Sequence, residues 1–96
     1  MSYVIYDDIE WDDANIEHLA RHGITPDEVE DLLEGRTVRL RMATDAPDRF
    51  PVLGRTSSGR YLLIIYQEKP YGVIRPFTGR DMRPHERRLY ERQTGS

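Results

Sequence analysis

The hydrophobic period of this chain changes at Gly35. Across residues 12–34 apolar side chains recur every three or four positions, and from Arg36 onward they alternate with polar ones. With one further helical stretch near the C-terminal end, this order confines the chain to an α+β layer fold: a helical hairpin, a small antiparallel sheet and a closing helix.

Local signals fill in the elements. Residues 5–11 alternate as a first strand, and Asp12 is placed to cap the helix that follows. In "DANIEHLARHG" Ile16, Leu19 and Ala20 share one face and Gly23 supplies the stop. Thr25, Pro26 and Glu28 give the next helix an N-cap, a proline at its first position and a capping-box glutamate. Val29, Leu32 and Leu33 form its buried stripe, and Gly35 ends it. In "RTVRLRM" Val38, Leu40 and Met42 alternate with Thr37, Arg39 and Arg41, which predicts a strand with a wet, basic face. "ATDAPD" is loop composition, and "RFPVLGRT" is a strand in which Pro51 fits only near an edge or a start. "RYLLIIYQ" is apolar on both faces, as a central strand is. Lys69 to Gly72 turn the chain into "VIRPFT", a further strand, and a last helix begins near Asp81 with Pro84 in its first turn. The chain reads as a single domain over residues 1–96, ordered over about 3–92, with "QTGS" fraying.

There is no cysteine, so neither disulfides nor thiolate metal sites staple the fold. No basic segment leads into an apolar run at the start, and no stretch approaches the roughly 20 apolar residues of a membrane span. A cytoplasmic location is expected. The net charge of -3 conceals two opposite halves: up to Gly35 there are 11 acidic residues and one basic, giving 1 - 11 = -10, and from Arg36 there are 13 basic and 6 acidic, giving +7. Either the second half meets a polyanion, or the halves neutralise one another within the fold or across an interface.

The segment "EWDDANIEHLARHGITPDEVEDLL" resembles the first half of the BrnT family of type II toxin–antitoxin toxins. "RFPVLGRTSSGRYLLIIY" is similar to that family's meander, with Gly54, Arg55, Ser57, Gly59 and Arg60 at its glycine–arginine turn, and "TGRDM" followed by "ERRLY" is similar to its closing segment. The likeness runs over residues 9–90. It implies a RelE-like fold and a ribonuclease that arrests translation, neutralised by a cognate DNA-binding antitoxin, with a homodimer and a toxin–antitoxin heterotetramer both open. RNA or the ribosome is the implied target, and no membrane and no cofactor are implied.

Cleaving RNA requires a base for the 2′-hydroxyl, stabilisation of the pentacoordinate phosphate and a proton for the leaving 5′-oxygen. Arginine cannot serve as base or acid, but its planar fork suits phosphate oxygens. Arg80, at the last strand–helix junction, is the first candidate for that clamp; the alternative is that it pairs with Glu86 and ties helix to sheet. His22, Glu86 and Tyr90 are the catalytic proton-transfer candidates, together with His85. A role for His22 at the end of its helix and a core position for Tyr90 are the structural alternatives. Arg39, Arg41, Arg55, Arg60, Lys69, Arg75, Arg83 and Arg87 are candidates for an RNA-binding surface that reads phosphate and carries little sequence information. The competing expectation is that they face the acidic hairpin. His18 and His22 lie four residues apart, a spacing zinc can use, but no third ligand accompanies them and no metal is expected.

Overall fold

The computed structural model describes residues 3–41 and 48–95; Met42 and the expected loop over 43–47 lie outside the described residues. The elements run β1 (Asp8–Ile9), α1 (Asp13–Ala20), α2 (Pro26–Glu34), β2 (Thr37–Arg39), β3 (Arg49–Arg55), β4 (Tyr61–Lys69), a 3-10 turn (Pro70–Gly72), β5 (Val73–Asp81) and α3 (Pro84–Thr94). The α+β class is as the sequence predicts.

Both helices of the N-terminal hairpin start where their caps dictate. Asp12 accepts the Asn15 N–H at 3.1 Å while Asn15 Oδ1 accepts the Asp12 N–H at 2.8 Å, a reciprocal capping box. Thr25 and Glu28 do the same for α2. Past the end of α1, Ile24 N–H donates to Leu19 O and Gly23 N–H to Ala20 O, the paired bonds of a Schellman motif with Gly23 at φ 71°. That turn sends Ile24, 1 % exposed, back under its own helix beside Leu19. The buried face of α1 differs from the expected one: Asn15 and Leu19 are inside and Ala20 is outside. The helix is rotated toward Asn15 because the Asn15 amide donates to the carbonyls of Glu10 at 2.9 Å and Pro76 at 2.8 Å.

The sheet order is β1-β5-β4-β3-β2. Strands β2 to β5 form the antiparallel meander, and β1 joins β5 in parallel, so the sheet is mixed. The first strand is much shorter than its alternation suggests, since β5 pairs with it only at Val73 and Ile74 before the chain leaves to cap α1. Strand β4 is central, and its alternate residues feed two cores. Leu62, Ile64 and Tyr66 pack with Leu19, Ile24, Val29, Leu32 and Leu33 under the hairpin, and Leu63 packs with Val38, Leu53 and Tyr90 under α3. Thr37 is fully buried, contrary to its expected place on a wet face, because β2 is covered on that side too. Pro51 costs β3 no ladder bond to β4: its carbonyl accepts Leu40 N–H, so its nitrogen also points toward β2, at the open end of that short strand. A bulge between Ile65 and Tyr66 leaves Phe77 opposite no partner and turns the Pro76 carbonyl toward Asn15. The C-terminal end is helical through Thr94, which is 5 % exposed and donates to Tyr90 O, so α3 extends past the expected fraying point and closes on Gly95.

Gly79 sits where β5 passes closest to its neighbours: a Cβ there would lie 2.7 Å from Ile64 Cδ1 and 2.9 Å from Leu63 O. Gly79→Ala is expected to lower stability by about 2 kcal/mol, since a backbone oxygen cannot step aside as a side-chain tip can. Denaturant titration of the two proteins checks this, and an unchanged midpoint would mean that β5 shifts freely.

Candidate functional site

The cations do not gather as one open surface. Arg60 donates to Glu28 at 2.8 Å, to Asp81 at 3.3 Å and to the Gly23 carbonyl at 2.9 Å, tying both helices of the hairpin to β5. Burial pushes the Glu28 carboxyl up, yet the Arg60 bond holds it below its usual range. Lys69 bonds both Glu10 oxygens at 2.9 Å, and Arg75 reaches Glu10 at 3.0 Å and also Asp12. Their hydrogen bonds keep the Glu10 and Asp12 carboxyls low. Three of the expected RNA-binding residues, Arg60, Lys69 and Arg75, are thus neutralised by the acidic N-terminal half. Arg87 bonds Glu91 at 2.9 Å and lies 4.0 Å from the Tyr61 ring centroid, with Arg55 5.2 Å from the same ring. Arg39 stacks on Phe50; Arg41 and Arg83 are exposed, Arg83 as the N-cap of α3.

Arg80 and Glu86 form a two-pronged ion pair between β5 and α3. Arg80 Nη1 and Nη2 donate to the two Glu86 oxygens at 2.7 and 2.9 Å, and Glu86 Oε1 also accepts the Arg83 N–H at 2.8 Å. The Arg80 fork draws the Glu86 carboxyl down to about 2, against the opposing push of burial and with the Arg83 N–H adding to the effect. The helix-to-sheet tie anticipated as the alternative role of Arg80 is therefore present. It does not exhaust the fork. A guanidinium has five N–H groups. Three donate here, two to Glu86 and one to Asp81 O, which leaves Nε–H and one N–H of Nη2 without a partner among the described residues.

Arg80 shares a pocket of about 130 Å³ with His22, Thr78, Gly79 and the apolar floor of Leu63 and Ile65. The Schellman turn puts His22 at the exposed end of α1, and α1 runs along β5, where His18 Nε2 lies 3.1 Å from Thr78 Oγ1. The two imidazoles are 5.6 Å apart between centroids. One imidazole, a hydroxyl and an oriented guanidinium thus stand around one small opening, with the His18 imidazole behind Thr78. Sequence spacing placed His18 and His22 on one helical face, but gave no sign that Thr78 and Arg80 lie beside them. Among the described residues no three His, Asp or Glu side chains converge to hold a metal, and no helix is long and apolar enough to cross a membrane.

Tyr90 belongs to the core: it is 5 % exposed, its hydroxyl donates to Arg36 O at 3.0 Å, and its ring meets Tyr61 edge-on. Burial pushes that hydroxyl's pKa up, so the group has neither the position nor the acidity for proton transfer at the pocket. His85 is exposed in the first turn of α3. Neither a protein-family model nor a curated protein matches the chain.

Proposed function

We propose that this protein is a ribonuclease that cuts RNA by internal attack of a 2′-hydroxyl, acting in the cytoplasm as the toxin of a BrnT-like toxin–antitoxin pair. The observation that carries this reading is the shared pocket of His22 and Arg80, with Glu86 aiming the fork. There the His22 imidazole removes the 2′-hydroxyl proton, the oxygen attacks phosphorus, and the His18 imidazole, outside the pocket lining and 5.6 Å from that of His22, protonates the departing 5′-oxygen. The two unused Arg80 N–H groups take the phosphate oxygens as charge builds on them. The products are a 2′,3′-cyclic phosphate and a 5′-hydroxyl. Likeness to the toxin family in "TGRDM" and the glycine–arginine turn supports the same reading, and a DNA-binding antitoxin is its implied partner.

The purified protein is expected to cleave single-stranded RNA in the presence of EDTA and leave cyclic phosphate ends. His22→Ala, at an exposed position with little weight in folding, is expected to slow cleavage at least tenfold. If the wild-type protein leaves RNA intact and its induction does not slow translation, the reading fails. A non-catalytic interaction domain is then favoured by the exposed apolar side chains of Ile5, 94 % exposed, and Tyr71, 95 % exposed.

A further inference from the structure

A second opening lies on the hairpin side of the sheet, away from the Arg80 pocket. The N-terminal segment at Tyr3, Val4 and Ile5 lines, together with Arg39, Tyr66 and Glu68, an open cleft of about 410 Å³. That volume is in the range of small-molecule sites.

Its floor holds an anomaly. Tyr66 is 4 % exposed and lines the cleft, yet its hydroxyl has no hydrogen-bond partner among the described residues. Every fully buried side-chain polar atom in the described structure is satisfied, so this hydroxyl is not sealed in; it opens to the cleft. Arg39 and Glu68 flank it and form no ion pair with any described residue. Both charges bear on the phenol: burial raises its pKa, Arg39 lowers it and Glu68 raises it. Arg39 is also held flat, its guanidinium carbon 3.6 Å from the Phe50 ring centroid, with Phe50 itself 5.8 Å from Tyr66.

We infer that this cleft binds a guanine base. The argument is one of complementarity. A guanidinium backed by an aromatic ring offers a flat surface on which a planar base stacks. A carboxylate that accepts two parallel N–H bonds suits the guanine N1–H and N2–H₂ edge; adenine, cytosine and uracil each offer a carboxylate only one donor group on that edge. The unpartnered phenol then donates to O6, the acceptor next to N1. The valines of the cleft, Val4 and Val52, cover the rest of the base. The base can come from a mononucleotide or from a single-stranded RNA, which present the same edge.

Calorimetric titration with GMP, AMP, CMP and UMP tests the site, alongside guanosine-containing and guanosine-free hexamers of 2′-O-methyl RNA. Those oligomers cannot be cut, so the result stands apart from whether the Arg80 pocket is catalytic. GMP or the guanosine hexamer is expected to bind at least tenfold more tightly than its counterparts. Tyr66→Phe and Glu68→Gln are each expected to weaken that binding fivefold or more. Glu68 is exposed, so its variant folds even where Tyr66→Phe loosens the core, and thermal melts confirm this. Binding of GMP identifies the free nucleotide as sufficient; binding of the hexamer alone identifies RNA as the source. Equal affinity for guanine and adenine ligands, or unchanged guanine binding in the Glu68→Gln protein, overturns the inference.

Discussion

Arg80→Ala is expected to destabilise the protein by about 3 kcal/mol at neutral pH, and Glu86→Ala by less, about 2 kcal/mol. The difference follows from who is left behind. The Arg80 side chain is 35 % exposed and the Glu86 side chain 7 %. Without Glu86 the guanidinium turns to water, whereas without Arg80 a carboxylate stays buried with one backbone N–H for company. The pH dependence separates the two further. In the wild-type protein the Glu86 carboxyl lies at about 2 when folded, against 4.5 ordinarily. A depressed value gives stability that is complete above pH 4.5 and is lost as pH falls toward 2; the difference corresponds to roughly 3 kcal/mol. In Arg80→Ala the pull of the fork is gone and only the Arg83 N–H and the His85 charge still oppose burial, so the folded carboxyl moves back up toward its ordinary value. The acid loss therefore shrinks: that variant loses less stability than wild type as pH falls from 4.5 toward 2. Urea titrations at pH 7, 5 and 3, each referred to Glu86→Gln to remove other carboxylates, measure both effects. Parallel pH profiles for wild type and Arg80→Ala would show that the pair is not what lowers the Glu86 value.

The features legible in the sequence are those whose causes lie within a few residues. Asp12, Thr25 and Glu28 cap their helices as expected because a cap is decided by neighbours two or three positions away. "RYLLIIYQ" gave the centre of the sheet because burial on both faces leaves a continuous apolar run. Even Arg80 with Glu86 could be anticipated, since strand end and helix start are joined by so short a connection. What local pattern did not carry is the partner choice of distant charges. Arg75 meets Asp12 and Lys69 meets Glu10 because β1 lies parallel beside β5, and that pairing has no signature in either strand. The same ignorance hid the site. His18 and Thr78 meet only because α1 is laid along β5, and Tyr66 shares a cleft with Tyr3, Val4 and Ile5 only because the fold brings that segment to β4. Where the helical period did mislead, at Ala20, it did so because a polar residue occupied the inward position.

That residue should be the most sensitive polar position of the hairpin. Asn15 is 2 % exposed, and its amide spans three strangers to one another: the Asp12 N–H, the Glu10 carbonyl and the Pro76 carbonyl at the β5 bulge. Asn15→Ala removes both donors at once. It leaves a buried carbonyl at Pro76 with nothing to bond, so a loss of about 3 kcal/mol is expected, or roughly 10–20 °C in melting temperature for a domain of this size. Asn15→Asp keeps the shape and the acceptor but sets a carboxylate against two carbonyl oxygens. Its folded pKa must rise, so its stability is greatest below the unfolded value and declines as pH increases through the folded one, whereas Asn15→Ala has no such step. A loss of less than about 0.5 kcal/mol in Asn15→Ala would mean that water replaces the amide without cost. The consequence reaches the pocket, because α1 carries His18 and His22 and Asn15 is the bolt that holds this helix to β5. With the bolt removed, the contact of His18 with Thr78 should be the first to loosen, and the RNA cleavage proposed for the pocket should fall at temperatures where the rest of the sheet is still intact.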